Sequence, residues 1–329
     1  VKLCPGLAFD LGLLGGADPF VGVIRAAFAA RAADPALGCT GQSGRLVTAL
    51  LLHLLESRQA DAALVTVMPS DGSLRPEPLL ARTRPEVLAA QGSKYSAVAG
   101  NRALNLLDAV ERVAAVALPC ALQGLHTLQQ RGHTQASKVR FRIGLFCDHT
   151  LLRTCAEQMA ADARLPRDSI AALEYRSKAR AGWPGEVAFL LKDGRRAFFP
   201  PRLRLDLKEF FTPPRCRLCF DKSNVLADVA VGDPWGIPGK EGGHSVALAR
   251  TELGERILRD AARAGYLELS DVSSDAVIAG QGFRERRRSL AGHLDAWRET
   301  GRPLPQYPGL DRNAIPAPDG ALRRTCRRR

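Results

Sequence analysis

Apolar, strand-like runs alternate with helical segments along the first half of the chain, and this alternation constrains the fold more than any other feature. Residues 61–68, 113–118 and 141–146 are short, apolar runs of the kind that form buried strands. Segments with apolar residues at helical spacing precede the first run and follow each of the other two. Because parallel strands need helical crossovers, the pattern predicts an α/β fold, with a mainly parallel sheet and flanking helices.

The chain changes character after about residue 172. The turn Asp193-Gly194 separates two strand-like runs and predicts a β-hairpin, and a Cys-x-x-Cys loop follows it. We therefore expect a smaller α+β C-terminal part that carries this loop. The Ala-rich composition of residues 24–33 favours a helix, and a second helix is predicted over residues 283–297.

Composition and charge limit the classes of function. The net charge is +13, but the basic residues are mostly scattered arginines, so an acidic protein or an anionic cofactor explains it at least as well as nucleic acid. Nucleic acid is therefore the disfavoured partner. No apolar run reaches the ~18 residues of a membrane helix and no secretory signal is recognisable, so we expect a cytoplasmic protein without a membrane partner.

The cysteines carry the clearest chemical signal. Cys216 and Cys219 can bind one soft metal ion or one iron–sulfur cluster from a single turn. Cys120 and Cys147 each follow the end of an apolar strand, which is where ligands of open α/β sheets gather. If those strands are neighbours, the four thiolates form the usual set for a [4Fe-4S] cluster. Each of them can also be an ordinary buried thiol.

A zinc site with four cysteines is an alternative, because zinc also takes four thiolates. Zinc ribbons usually present two close pairs of cysteines, whereas this chain has one such pair. The remaining cysteines do not extend the set. Cys155, in a predicted helix, and Cys326, in the basic tail, are expected not to be ligands, and the roles of Cys4 and Cys39 stay open.

Two glycine-containing loops are candidates for binding an anionic cofactor. Thr40, Ser43 and Gly44 lead into a predicted helix, whose free N–H groups and dipole favour phosphate. This loop matches neither the Walker A motif nor Gly-x-Gly-x-x-Gly, and glycine and serine also simply cap helices. The segment Gly92-Ser93-Lys94-Tyr95 offers a hydroxyl, a cation and a ring that can flank a flavin, or it is an ordinary loop that ends a helix.

In order, these motifs resemble the coenzyme F420 hydrogenase/dehydrogenase beta-subunit family, which includes ferredoxin-dependent 8-vinyl reductase and 7-hydroxymethyl chlorophyll a reductase relatives. The likeness spans about residues 40–269 and rests on Ser43-Gly44, Gly92-Ser93-Lys94-Tyr95, Leu118-Pro119-Cys120-Ala121-Leu122-Gln123, Gly144-Leu145-Phe146-Cys147, Cys216-Arg217-Leu218-Cys219-Phe220-Asp221 and Ala227-Asp228-Val229-Ala230-Val231-Gly232-Asp233. It implies a flavoprotein with FAD and a [4Fe-4S] cluster. By motif position the implied cluster ligands are Cys120, Cys147, Cys216 and Cys219, and the implied FAD contacts are Thr40, Ser43, Gly44, Ser93, Lys94 and Tyr95.

The resemblance also suggests a division of the chain. The expected parts are 1–38, a remnant of an N-terminal ferredoxin-like segment or a leader; 39–118, an α/β flavin-binding region; 119–270, an iron–sulfur region; and 271–329, an Arg-rich, partly helical tail. Family members commonly carry an N-terminal segment with its own cysteine-rich motif, and Cys4-Pro5-Gly6 resembles its end. The family often has a second glycine after Gly44, where this chain has Arg45, which either binds phosphate or crowds the flavin.

The expected function is that of an iron–sulfur flavoprotein oxidoreductase. It would pass electrons between a ferredoxin-like or deazaflavin (coenzyme F420-type) donor and a small organic substrate, through FAD and a [4Fe-4S] cluster. One alternative is a non-catalytic electron-transfer subunit of a larger complex, and another is a four-cysteine zinc protein with a basic surface that binds nucleic acid. The sequence identifies neither substrate nor catalytic residue, and it leaves a homo-oligomer and membership of a complex both open.

Overall fold

The computed structural model describes residues 4–37, 43–240, 243–311 and 315. Within these residues the strands are β1 (Ala26–Ala32), β2 (Ala62–Val67), β3 (Glu77–Ala81), β4 (Val113–Ala117), β5 (Val139–Leu145), β6 (Ile170–Ser177), β7 (Glu186–Leu191), β8 (Arg196–Phe199), β9 (Val229–Gly232), β10 (Ser245–Ala249) and β11 (Leu267–Asp271). The helices are α1 (Ser43–Glu56), α2 (Arg84–Ala89), α3 (Pro119–Gln130), α4 (Thr134–Ser137), α5 (Thr154–Asp162), α6 (Pro201–Phe211), α7 (Pro214–Arg217), α8 (Glu252–Arg263), α9 (Ser274–Gly280) and α10 (Phe283–Glu299).

The large sheet has eight strands in the order β11-β1-β10-β9-β5-β4-β2-β3. Its four central strands, β9, β5, β4 and β2, pair in parallel. Antiparallel strands complete both sides. The predicted α/β architecture with flanking helices is confirmed, and parallel pairing occupies the middle of the sheet. Because β4 and β5 are parallel neighbours, the residues that follow them emerge at the same edge.

Helices cover both faces of this sheet, and successive residues of a strand point to opposite layers. In β2, Ala63 and Val65 pack with Leu50 of α1 on one face, whereas Leu64 packs into the core on the other. Leu50 is fully buried, and burial of such a leucine contributes about 2 kcal/mol. The two apolar layers hold the strand ends in place and thereby position the loops at the carboxyl edge.

A three-stranded antiparallel sheet, β6-β7-β8, forms the smaller part. The predicted hairpin is β7 and β8, with Gly194 at a φ of 86° in the turn. This sheet shares a separate core with α5, in which Cys155 is fully buried. The chain leaves β8 through α6 and reaches the Cys-x-x-Cys loop at α7.

The Ala-rich segment predicted to be helical is instead strand β1, which is a correction to the sequence analysis. It lies between β10 and β11, so its backbone groups are paired on both sides. Small alanine side chains suit this position because the strand is mostly buried between two helical layers, and packing overrides helix propensity. The second predicted helix is confirmed as α10. Among the residues described, no helix is both long and apolar enough to cross a membrane.

Candidate four-cysteine metal centre

Cys120 and Cys147 lie at the carboxyl edge of the large sheet. Cys120 follows β4 in the first turn of α3, directly after Pro119 at the first helical position. Cys147 follows β5, and its backbone N–H donates to the Lys222 carbonyl at 2.9 Å. The strands β4 and β5 are neighbours, as expected. The twelve-residue helix α3 begins beside the Cys120 thiol. The positive end of that helix favours a thiolate there.

Cys216 and Cys219 approach the same place from the C-terminal part. Cys216 lies in the short helix α7, and the Cys219 N–H meets the Cys216 carbonyl at 3.5 Å. Cys219 is buried and its thiol donates to the Asp221 carbonyl at 3.5 Å. The Thr150 backbone N–H bonds the Cys216 thiol. The tight turn after the Pro213-Pro214 pair thus presents two thiols to the sheet edge.

The four thiols lie close enough for their charges to affect one another's pKa. Burial, and then the neighbouring Cys219 and Cys216, raise the pKa of Cys120 to about 11. Burial also raises the pKa of Cys147, with further contributions from Cys120, Cys219 and Cys216. Without a metal, these thiols repel one another when charged. A bound cluster or ion removes this penalty because it takes the thiolate form.

Zinc and a [4Fe-4S] cluster are the two groups that commonly bind four thiolates. In a mononuclear zinc site each Zn–S bond is about 2.3 Å, so the sulfurs lie within about 4 Å of one another. Within the described residues, no group of three or more His, Cys, Asp or Glu side chains is arranged to hold a single metal ion. In a [4Fe-4S] cluster each thiolate binds a different iron, so the four sulfurs lie farther apart than around one ion. Four thiols are the donor chemistry of both groups.

Two arginines flank the thiols. Burial lowers the pKa of Arg215, but the adjacent Cys219, Tyr307 and Cys120 raise it by more, so the guanidinium stays charged. Its Nη2 donates to the Gln123 side chain at 3.3 Å, whereas its buried Nε has no partner among the described residues. A cation and an unused donor beside four thiols suit an anionic group at that place.

The second arginine, Arg286, comes from α10. Its Nη2 donates to the Asp148 carbonyl at 2.6 Å, and its charge lowers the pKa of Cys147 and Cys216 against the larger effect of burial. Its Nε is also buried without a partner in the part of the chain that the structure covers. The C-terminal helix therefore contributes a charge to the centre, which no spacing in the sequence indicated.

The segment from Cys147 to Leu152 connects the cysteines to the predicted flavin loop. Leu151 N–H donates to the Tyr95 carbonyl at 3.0 Å, and Ala97 N–H donates to the Leu151 carbonyl at 3.1 Å. Leu152 N–H donates to the Phe211 carbonyl at 2.8 Å, at the end of α6. One short segment thus joins the sheet edge, the loop at Tyr95 and the helix that precedes Cys216.

The structure describes five of the six predicted FAD contacts, and it shows side-chain contacts for Lys94 and Tyr95. The Lys94 ammonium donates to the Ala90 and Gln91 carbonyls at 2.5 and 2.8 Å, and burial lowers the pKa of Lys94 to about 7. The Tyr95 ring meets the Tyr175 ring edge-on, with centroids 5.6 Å apart. Ser93 lies in the same loop. Ser43 and Gly44 begin α1, and Thr40 and Cys39 lie outside the described residues.

Asn224 and Asp221 support the strand ends, and sequence reasoning gave neither a role. The Asn224 side-chain amide donates to the Ala117 carbonyl at 2.8 Å and to the Leu145 carbonyl at 3.2 Å. These are the last residues of β4 and β5. The buried Asp221 carboxylate accepts from Asn224 N–H at 2.7 Å, and burial raises its pKa. Asn224 has a φ of 61°, a conformation that asparagine tolerates better than most residues.

Close packing explains two glycines of the motifs. A Cβ on Gly144 would lie 2.4 Å from Asn224 Cγ, and one on Gly232 would lie 2.2 Å from a ring carbon of Phe146. Cys4-Pro5-Gly6 lies against the site as well, because a Cβ on Gly6 would lie 2.6 Å from Arg215 Cδ. The motifs therefore include residues that permit close approach around the cysteines as well as the cysteines themselves.

Two family models match the chain. Residues 27–105 match the model described as coenzyme F420 hydrogenase/dehydrogenase, beta subunit N-term. Residues 110–275 match the model for the C terminus of the beta subunit in the same family. Together the matches include all four cysteines of the candidate centre and the loop at Lys94.

Three relatives, from two archaea and a plant, show the extent of the similarity. The chain is 26% identical over 304 residues to coenzyme F420 hydrogenase subunit beta of Methanothermobacter thermautotrophicus, covering 87% of this chain and 99% of the relative. It is 27% identical over 239 residues to the coenzyme F420-dependent sulfite reductase of Methanocaldococcus jannaschii, covering 66% of this chain but 34% of that protein. It is 26% identical over 223 residues to the chloroplastic 7-hydroxymethyl chlorophyll a reductase of Oryza sativa, covering 65% of this chain and 44% of the relative.

A solved structure shares the fold. A chain of the F420-reducing [NiFe] hydrogenase complex from Methanosarcina barkeri superimposes with a TM-score of 0.70 at 22% identity. The match covers 89% of this chain and 99% of that chain. Almost the whole fold of this protein is therefore present in that complex.

Proposed function

The chain belongs to the coenzyme F420 hydrogenase/dehydrogenase beta-subunit family, and we propose that it is an iron–sulfur flavoprotein oxidoreductase. Its relatives match about two thirds or more of this chain, and their names describe oxidoreductases or subunits of them. The proposed reaction passes electrons between a ferredoxin-like or deazaflavin donor and a small organic substrate. The proposed setting is the cytoplasm, with the chain acting alone, as a homo-oligomer or as a subunit of a complex.

The observation that carries the proposal is the meeting of four thiols from two strand ends and one turn. Cys120, Cys147, Cys216 and Cys219 would hold the [4Fe-4S] cluster. Arg215 would balance part of the negative charge of the cluster, and the start of α3 would add a favourable dipole. Cys219 is buried, and Cys120, Cys147 and Cys216 are partly buried. When bound, the cluster supplies single-electron transfer and FAD supplies hydride chemistry.

FAD is proposed to lie along the loop that the segment from Cys147 to Leu152 ties to the cysteines. Its proposed contacts are Thr40, Ser43, Gly44, Ser93, Lys94 and Tyr95. Lys94 uses two N–H groups on backbone carbonyls, which leaves one of the three donors of an ammonium for a phosphate. The hydroxyl of Ser96 is buried without a partner among the described residues, which supports a polar ligand beside this loop. The flavin-binding region 39–118 and the iron–sulfur region 119–270 would then act across one shared sheet.

The ligand set is tested by iron content. We expect the anaerobically purified protein to contain iron, acid-labile sulfide and flavin, and Cys120→Ala, Cys147→Ala, Cys216→Ala and Cys219→Ala each to lose the cluster iron. Cys155→Ala is the matched control, because that thiol is buried in the core of the small sheet. Full iron content in any of the four variants would show that the proposed set of ligands is wrong.

Two further measurements separate the alternatives. Stoichiometric zinc without iron or flavin would favour the zinc protein and refute the flavoprotein. Turnover by the isolated chain, with reduced ferredoxin or reduced deazaflavin, would distinguish an enzyme from a non-catalytic electron-transfer subunit. The subunit alternative is retained because the fold also occurs in a chain of the F420-reducing hydrogenase complex.

A further inference from the structure

Gln123 is a buried polar residue to which the proposed ligand set gives no role. It lies in α3, about one helical turn after Cys120, and its side chain is fully buried. Burial of an amide is unfavourable unless its hydrogen bonds are made inside the protein. The partners of this side chain therefore decide what it contributes to the centre.

The Gln123 amide connects an arginine with an aspartate. Its Nε2 donates to Asp221 Oδ2 at 3.4 Å, and its Oε1 accepts from Arg215 Nη2 at 3.3 Å. A guanidinium has donors only, so the amide oxygen must face Arg215 and the amide nitrogen must face Asp221. Both ends of the amide are used, and the two partners fix its orientation.

Asp221 anchors the far end of this chain of hydrogen bonds. Its buried carboxyl group also accepts from the backbone N–H groups of Asn224, at 2.7 Å, and Val225, at 3.2 Å. Asp221 follows closely after Cys219, whose thiol donates to the Asp221 carbonyl at 3.5 Å. The anchor therefore belongs to the same segment as one of the proposed ligands, and Gln123 extends it to Arg215.

Arg215 is the group that the amide positions. Its guanidinium hydrogen-bonds the Cys219 thiol and the Tyr307 hydroxyl, and it interacts electrostatically with Cys120. A carboxylate in the place of Gln123 would hold the guanidinium but cancel its charge. The neutral amide oxygen holds it beside the thiols and leaves its charge in place.

We propose that Gln123 is a positioning residue that holds the Arg215 guanidinium against the thiols of the four-cysteine centre. This inference rests on the proposed function, because the charge of Arg215 acts on the proposed cluster. Reduction makes the cluster more negative, so a cation held beside the sulfurs favours the reduced form. Gln123 fixes where that cation lies, and it exchanges neither a proton nor an electron itself.

The test is the reduction potential of the holoprotein that carries Gln123→Met. Methionine removes both hydrogen bonds and keeps an unbranched side chain of similar volume in the core. We expect the one-electron equilibrium to shift about threefold to tenfold toward the oxidised cluster, where tenfold corresponds to about 59 mV. The iron content should equal that of the wild type.

Gln129→Met is the matched control. Gln129 lies in the same helix, but its amide donates to the Ala136 and Val139 carbonyls, at 3.0 and 3.2 Å. Its loss removes two hydrogen bonds from the same helix without touching Arg215, so the potential should stay that of the wild type. An equal shift in the Gln129 and Gln123 variants would overturn the proposal.

A double-mutant cycle separates action through Arg215 from any other effect. If Gln123 acts by positioning the guanidinium, Gln123→Met should shift the potential of the wild type but not that of the Arg215→Gln protein. An equal shift in both backgrounds would overturn the proposal, because the amide would then act without Arg215. A wild-type potential for Gln123→Met would overturn it as well.

A second variant covers a loss of iron from the first. If Gln123→Met binds less iron than the wild type, Gln123→Asn provides the same measurement, because its amide is one methylene too short to span both partners. Loss of iron from both variants would assign Gln123 a structural role and overturn the positioning role. The failure of the proposed function looks different, because a wild-type protein without iron and sulfide fails in the metal analysis, before any variant is compared.

Discussion

Replacement of Asn224 tests whether the strand ends hold the cysteines in place. Asn224→Ala removes two donors, to the Ala117 carbonyl at 2.8 Å and to the Leu145 carbonyl at 3.2 Å. Those carbonyls end β4 and β5, a few residues before Cys120 and Cys147. The substitution therefore loosens both loops that present a thiol at the sheet edge.

The structure gives the size of the effect. Asn224 is fully buried, and each lost hydrogen bond that leaves a buried carbonyl without this donor costs roughly 1–2 kcal/mol. Alanine at a φ of 61° adds roughly 1 kcal/mol of backbone strain. The sum is roughly 3–5 kcal/mol, a large part of the stability of about 5–15 kcal/mol that domains have.

The assay is urea unfolding of the protein together with its iron content. We expect Asn224→Ala to lower the free energy of unfolding by that amount and to retain less iron than the wild type. Asn224→Gly is the control, because glycine accepts the left-handed backbone, so the difference between the two variants isolates the strain. If Asn224→Ala unfolds at the wild-type urea concentration and keeps its iron, the amide does not position the cysteine loops.

Three more predictions follow from single contacts. Arg215→Gln should lower the reduction potential of the proposed cluster, about 59 mV for each tenfold change in the one-electron equilibrium, because a buried positive charge would stabilise the reduced form. Arg31→Gln, at an exposed arginine of β1, is the control, and equal potentials of the Arg215 variant and the wild type in a redox titration would contradict the expected role of Arg215. In the protein without FAD, burial lowers the pKa of Lys94 from 10.5 to about 7, so between these pH values the unfolded chain binds a proton that the folded chain does not. The free energy of unfolding of this flavin-free protein should therefore rise with pH relative to Lys94→Met, and parallel pH dependences in urea unfolding would contradict the lowered pKa. Gly232→Ala should lower the free energy of unfolding, because its Cβ would lie 2.2 Å from the Phe146 ring. Phe146→Ala in the same chain should restore part of that free energy, and additive effects of the two substitutions in a double-mutant cycle would refute the contact.

The sequence by itself determined the fold class and singled out four candidate sulfur donors. Short apolar runs separated by helices can bury their backbone groups only in a sheet with helical crossovers, which is what the chain forms. Cys120 and Cys147 follow such runs, so their position at the carboxyl edge was predictable from local pattern alone. The family followed from the order of the motifs.

Tertiary structure decided everything that depends on partners distant in the chain. Residues 26–32 have a helical composition, but pairing with β10 and β11, more than 200 residues later, makes them a strand. Arg286 reaches the Asp148 carbonyl across 138 residues, and Asn224 joins two strand ends across 107 and 79 residues. The periodicity of α6 marks its leucines as apolar but does not say which of them the core covers. Burial and long-range hydrogen bonds depend on how the elements pack, and no local spacing encodes them.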